Sequence, residues 1–176
     1  MTVLEQLTPD VRRLFDSVES ETQEPRLRRL LDYWRSRRGD ATNPAPLDID
    51  PAALGEAFES MFVFERLKPA GKDWQLLFAG SEALTWMRPV GTWRRLSHLS
   101  NRRAAVRLRL LLDLVLAARE PCIGRFHVAH GKRTDDFEVA VMPLASDHSH
   151  PDAAVGMIAA PPGRPGGTST AFAPSS

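Results

Sequence analysis

Cysteine is almost missing from this 176-residue chain, which has one, Cys122. That excludes an internal disulfide and any zinc or iron–sulfur site built from several cysteines. Long apolar runs are missing too: none approaches the ~20 residues needed to span a bilayer, and the opening residues have no charged-then-apolar signal layout. The expectation is a cytoplasmic protein without membrane association. Catalytic signatures are also absent. There is no Gly-x-Ser-x-Gly, phosphate loop, His-Glu-x-x-His or kinase histidine box, so no nucleophile or base has supporting neighbours and no catalytic residue is assigned. A non-enzymatic role is expected.

Hydrophobic residues make up 43% of the chain, enough at this length for one domain with a real core plus extensions. The formal charge of +1 hides local asymmetry. Residues 1–24 carry six acids against two arginines, residues 25–39 carry six arginines and one acid, and residues 88–109 carry seven arginines and no acid. Such clusters fit a nucleic-acid-binding accessory protein with an Arg-rich surface, which stands as the alternative function. Because 20 of the 23 basic residues are arginine, uniform usage by itself produces clusters, and a solvated face is the preferred explanation.

Residues 48–66 carry the densest local signals. Asp50 suits an N-cap with Pro51 at the first helical position, and Ala52, Ala53, Leu54, Ala57 and Phe58 supply an apolar stripe. Met61 to Phe64 then runs apolar on both faces, which predicts a strand inside a sheet, covered on its outer side by an N-terminal helix. Upstream, Thr8-Pro9-Asp10 predicts a short amphipathic helix through Val11, Leu14, Phe15 and Val18. A longer helix is predicted from Pro25, with Leu27, Leu30, Leu31 and Trp34 on one face and a stop at Gly39.

Trp74, Leu76 and Phe78 alternate with Gln75 and Leu77 and predict a hairpin with the first strand. Ser81 to Met87 reads as a short helix. Ser100 or Asn101 caps the longest helix, which has Ala104, Leu108, Leu111, Leu112 and Val115 inside and ends before Glu120-Pro121. Three strands follow, around Cys122–Val128, Phe137–Met142 and Ala153–Ala160. Residues 161–176, rich in Pro, Gly, Ser and Thr, predict a disordered tail. The domain division is 1–24 helix and linker, 25–160 domain, 161–176 tail.

This order of elements resembles a PAS domain, and in particular the bacterial single PAS modules that begin with a Tyr-Trp helix. The supporting features are Tyr33-Trp34, the Asp48 to Pro51 helix start, Ala79-Gly80 closing the first hairpin, Glu120-Pro121 before the third strand and Met142-Pro143-Leu144 close to the fourth. The resemblance implies an α+β fold: a five-stranded antiparallel sheet with helices on one face, plus the N-terminal helical extension. It also implies a sensory or regulatory module in signal transduction that acts by protein–protein contact. The partner would be a signalling protein of the sensor-kinase or response-regulator class, or a second copy. No cofactor is implied, though an unidentified small ligand is compatible with the family.

The candidate cleft residues are Trp74, Phe78, Trp86, Trp93, Phe126 and Phe137, each weighed against the plainer expectation that aromatic residues in and beside a sheet are core. The candidate partner surface is Val11, Leu14, Phe15 and Val18. No metal site is assigned: His127 and His130 fall on opposite faces of a strand, and His148 and His150 lie in a polar loop. His98, just before the long helix, is a lone histidine and weak as a haem ligand. Cys122 opens a strand and lacks the Asn-Cys-Arg context of flavin-adduct photoreceptors.

Overall fold

Apolar alternation in successive segments is satisfied here by one antiparallel sheet, in a computed structural model that describes residues 13–38, 43–67, 72–87, 94–130 and 132–159. The strands are β1 (Ser17–Glu19), β2 (Met61–Arg66), β3 (Trp74–Ala79), β4 (Cys122–His130), β5 (Arg133–Leu144) and β6 (Ala153–Ala159). Their order across the sheet is β1-β4-β5-β6-β2-β3. The helices are α1 (Pro25–Arg38), α2 (Ser81–Met87) and α3 (Arg102–Ala118), which makes the fold α+β. The anticipated helix start at Thr8-Pro9-Asp10, Val11, Trp93 and the tail 161–176 lie outside the described residues.

Each face of the sheet has its own core. On one, Phe62, Phe64, Trp74, Leu76, Val139, Val141 and Ile158 pack with Leu108, Leu111, Leu112 and Val115 of α3. On the other, Met61, Val63, Ile123, Ala140, Met142, Val155 and Met157 meet Leu27, Leu30, Leu31 and Trp34 of α1. The α1 stripe thus covers the outer side of the sheet, and the Trp34 indole Nε1 donates to the carbonyl of Pro143 at 2.8 Å, satisfying its one buried donor. Glu24 Oε2 accepts from the Leu27 amide at 2.8 Å at the start of α1, and Arg35, Arg37 and Arg38 occupy its last turn, as the helix dipole favours.

The segment from Pro51 departs from expectation. Asp50 does cap it, its carboxylate accepting from the Ala52 amide at 3.0 Å. However, Pro51–Ser60 is not one amphipathic α-helix but two stretches of 3-10 helix joined at Gly55, whose φ of 58° and ψ of −135° are open only to glycine at low cost. The kink turns Leu54 and Ala57 beneath α1.

The β2–β3 hairpin also differs from its pattern. Pairing runs Phe64 with Leu76 but Val63 with Phe78, so Leu77 is an extra residue, a bulge. Side chains change face at that point: Trp74 and Leu76 stay with the α3 core, whereas Phe78 turns to the α1 side and lies on Phe58 with ring centroids 4.5 Å apart. Leu77 is left 42% exposed. The long helix α3 is capped by Asn101, whose side chain accepts from the Ala104 amide at 3.0 Å, and it ends at Arg119 in the left-handed region.

The largest correction concerns the N-terminal segment. Ser17 to Glu19 do not continue a helix; they pair with Arg125, Gly124 and Ile123 of β4 and add a sixth strand to the five anticipated. The helical stripe places Phe15 and Val18 on an exposed partner surface, yet they are 4% and 0% exposed and belong to the α3-side core. Leu14 packs partly against the same core. Two apolar residues spaced i, i+3 suit a helix stripe, but a chain entering an open sheet edge obtains backbone hydrogen bonds as well as burial. The sheet therefore crosses the boundary expected at residue 24.

Candidate functional site

Three of the aromatic residues singled out in the sequence come together on the α3 side. Trp86, on α2, meets Phe137 of β5 edge-on at 4.3 Å between centroids; Phe137 lies 5.5 Å from Phe126 of β4; and Phe126 lies 6.0 Å from Phe15, again edge-on. The row forms because Phe126 and Phe137 are directly opposed in the β4–β5 register and project to the same face. Phe137 and Phe15 are buried, while Trp86 and Phe126 are half-buried. Of the other candidates, Phe78 faces away from the row, as described. Trp74 is buried behind it, with its Nε1 donating to Asp113 Oδ1 at 3.3 Å and Arg66 stacked over its ring, so it is a core residue.

One residue beside the row is not aromatic and is not among the sequence candidates. Arg107, on α3, is 7% exposed and places its guanidinium carbon 4.2 Å from the centroid of the Phe126 ring. Its Nε donates to the carbonyl of Leu14 at 2.9 Å. No carboxylate among the described residues forms an ion pair with it. Asp16, whose negative charge favours the guanidinium, has its carboxylate 2.9 Å from Nδ1 of His127. Burial holds the Arg107 guanidinium below its ordinary pKa, the charge of Arg103 one turn earlier adds to this, and Asp16 works against both. The sequence did contain a signal: position 107 lies three residues after Ala104 and four before Leu111, on the inward stripe of the helix.

A second charged group ties the N-terminal segment down on the opposite face of β4. Glu138 of β5 is 6% exposed and accepts from Thr22 Oγ1 and from Arg125 Nε, the latter at 3.2 Å; Arg125 Nη1 lies 2.7 Å from Glu19 of β1. Burial works against the charged form of Arg125, but the hydrogen bonds and charges of Glu138 and Glu19 outweigh it and raise its pKa. The segment 14–24 is therefore fastened from both faces of the sheet.

The remaining sequence candidates stand apart from this site. Cys122 is buried, and desolvation, helped by the charge of Glu120, pushes its thiol up to about 12, so it is held as an unreactive thiol. His98 is exposed in the single turn Leu96–His98. His148 Nδ1 lies 3.3 Å from the carbonyl of Asn43, and His150 pairs with Asp147, whose carboxyl is held well below its usual range chiefly by the backbone amides of His150 and Ser149. Among the described residues no group of His, Cys, Asp and Glu is arranged to hold a metal ion, and no helix is long and apolar enough to cross a membrane.

A central antiparallel sheet, covered on one face by α1 and on the other by α2 and α3 around an aromatic row, defines a mixed α+β module. The chain matches the PAS domain family over residues 22–159, well over half its length, and belongs to that family, a class of sensory and regulatory modules. No curated protein matches it.

Proposed function

We propose that this PAS module is a non-enzymatic sensory or regulatory element of bacterial signal transduction that acts through protein–protein contact and responds to a ligand. The observation that carries the reading is the contact between the aromatic row and the N-terminal segment. Phe126 and Arg107 touch Phe15 and the Leu14 carbonyl, so a change at the row is felt by a segment held at the sheet edge. An edge strand can be exchanged for a strand of another chain at the same open edge, which suits it to passing a signal to a partner. The partner class is a sensor kinase, a response regulator or a second copy of the chain.

Pull-down from the source cell with the full chain, alongside sedimentation analysis for self-association, tests this. Recovery of a signalling protein or a defined homo-oligomer is expected. Recovery of only ribosomal or RNA-associated material would sink it and favour the nucleic-acid alternative. Ion pairs argue against that alternative: Arg26, Arg35, Arg38, Arg66, Arg109 and Arg125 each lie beside a carboxylate, which lowers the charge available to phosphates.

A further inference from the structure

A guanidinium largely withdrawn from water without a carboxylate partner is a ready site for an anion that can reach it. Arg107 is in that position: the residue is 7% exposed, no carboxylate among the described residues pairs with it, and its Nη atoms are not fully buried. Its Nε is already committed to the Leu14 carbonyl and its planar face to Phe126, which leaves the edge formed by the two Nη groups. That edge matches the two oxygens of a carboxylate, a pairing that is planar and bidentate. Next to it is the half-buried ring of Phe126, from which the row continues through Phe137 to the half-buried Trp86, a strip of ring surface suited to a flat apolar body.

We propose that Arg107 and the Trp86–Phe137–Phe126 row form a binding site for a small aromatic carboxylate, the acid group on the Nη edge of Arg107 and the ring against Trp86 and Phe126. The proposal rests on the ligand-responsive reading given above and names its ligand class. Occupancy would add negative charge beside the hydrogen bond that holds Leu14, and so alter how firmly the N-terminal segment is kept at the sheet edge.

The test uses the full chain with phenylacetate, its uncharged counterpart phenylacetamide, and inorganic phosphate, read by calorimetric titration and thermal unfolding. Phenylacetate is expected to bind saturably at one site and to raise the unfolding midpoint by about 4 °C at ten times its Kd. Phenylacetamide should bind roughly tenfold more weakly or worse, and Arg107→Met should lose a similar factor. Trp86→Leu, at a half-exposed position, should weaken phenylacetate binding several-fold, and with the phenylacetamide comparison it decides the matter if Arg107→Met fails to fold. The proposal is overturned if phenylacetate does not bind at millimolar concentration. It is equally overturned if phenylacetamide or phosphate binds as well as phenylacetate, or if a folded Arg107→Met protein binds unchanged. A partner recovered equally by wild-type and Arg107→Met protein, with phenylacetate bound by neither, removes this site and leaves the contact reading standing. Phenylacetate binding without any partner or self-association removes the contact reading instead.

Discussion

Gly124 and Phe15 are a fitted pair: a methyl group on Gly124 would stand 2.7 Å from Cε1 of Phe15 and 3.1 Å from Cδ1 of Leu111. The ring of the N-terminal segment occupies the space a side chain on β4 would need, directly opposite Val18 in the strand register. Docking of the segment is thus a packing event in the core, with a shape requirement on both partners.

Gly124→Ala is therefore expected to destabilise the protein by about 1–3 kcal/mol through overpacking. Phe15→Leu should absorb part of that loss, so the double variant should be less destabilised than the sum of the two single ones. Urea unfolding of the four proteins checks this. Strict additivity would mean that the two residues do not meet.

Trp34→Ala should cost about 3–5 kcal/mol, because the indole is fully buried and its Nε1 bond to Pro143 leaves a buried carbonyl unsatisfied when it is lost. Removing residues 1–20 should cost a comparable several kcal/mol, since it takes Phe15 and Val18 from the core along with strand β1. An exposed helix would have been dispensable. A truncated protein with an unchanged urea midpoint would refute the placement of β1.

Glu138→Ala should cost roughly 3 kcal/mol, as it leaves Thr22 and one side of Arg125 without a buried acceptor. High salt should leave most of this loss in place, because the carboxylate is shielded from solvent. Glu21→Ala, which breaks an exposed pair with Arg35, should change stability by no more than about 0.5 kcal/mol, and salt should erase it.

Cys122 provides a pH test. Its folded pKa is raised to about 12 from an ordinary value of 9.0, so the stability this group contributes is complete below pH 9 and is lost as the pH rises toward 12, where the folded thiol also ionises. Wild-type protein should lose stability relative to Cys122→Ala across that window, on the order of 1 kcal/mol per pH unit. The comparison of the two proteins removes the titration of lysine and tyrosine. Parallel curves from pH 8 to 11 would show that the thiol is reached by water.

Much of the architecture is written in local patterns. The stripe Leu27, Leu30, Leu31 and Trp34 has one helical solution, the caps at Asp50 and Asn101 are short-range hydrogen bonds, and the alternation in β4 and β5 specifies which residues face together. Those features depend on neighbours within a turn or a strand, and they led to the PAS order of elements; Trp86, Phe126 and Phe137, singled out for their aromatic character, are brought together in one row by the sheet. What the sequence could not decide depends on partners far along the chain. Phe15 and Val18, spaced i, i+3, satisfy a helix period, and only the open edge of β4, which takes Ser17–Glu19 as a strand, and the space above Gly124, which takes the Phe15 ring, decide against it. Phe78 follows Trp74 and Leu76 in period two, and only the pairing with Val63 and Phe64 shows that Leu77 bulges and turns it to the other face. Arg107 lies on the inward stripe of its helix, but what it meets there is not local: Phe126, 19 residues later, and Leu14, 93 residues earlier, are brought against it only by the sheet.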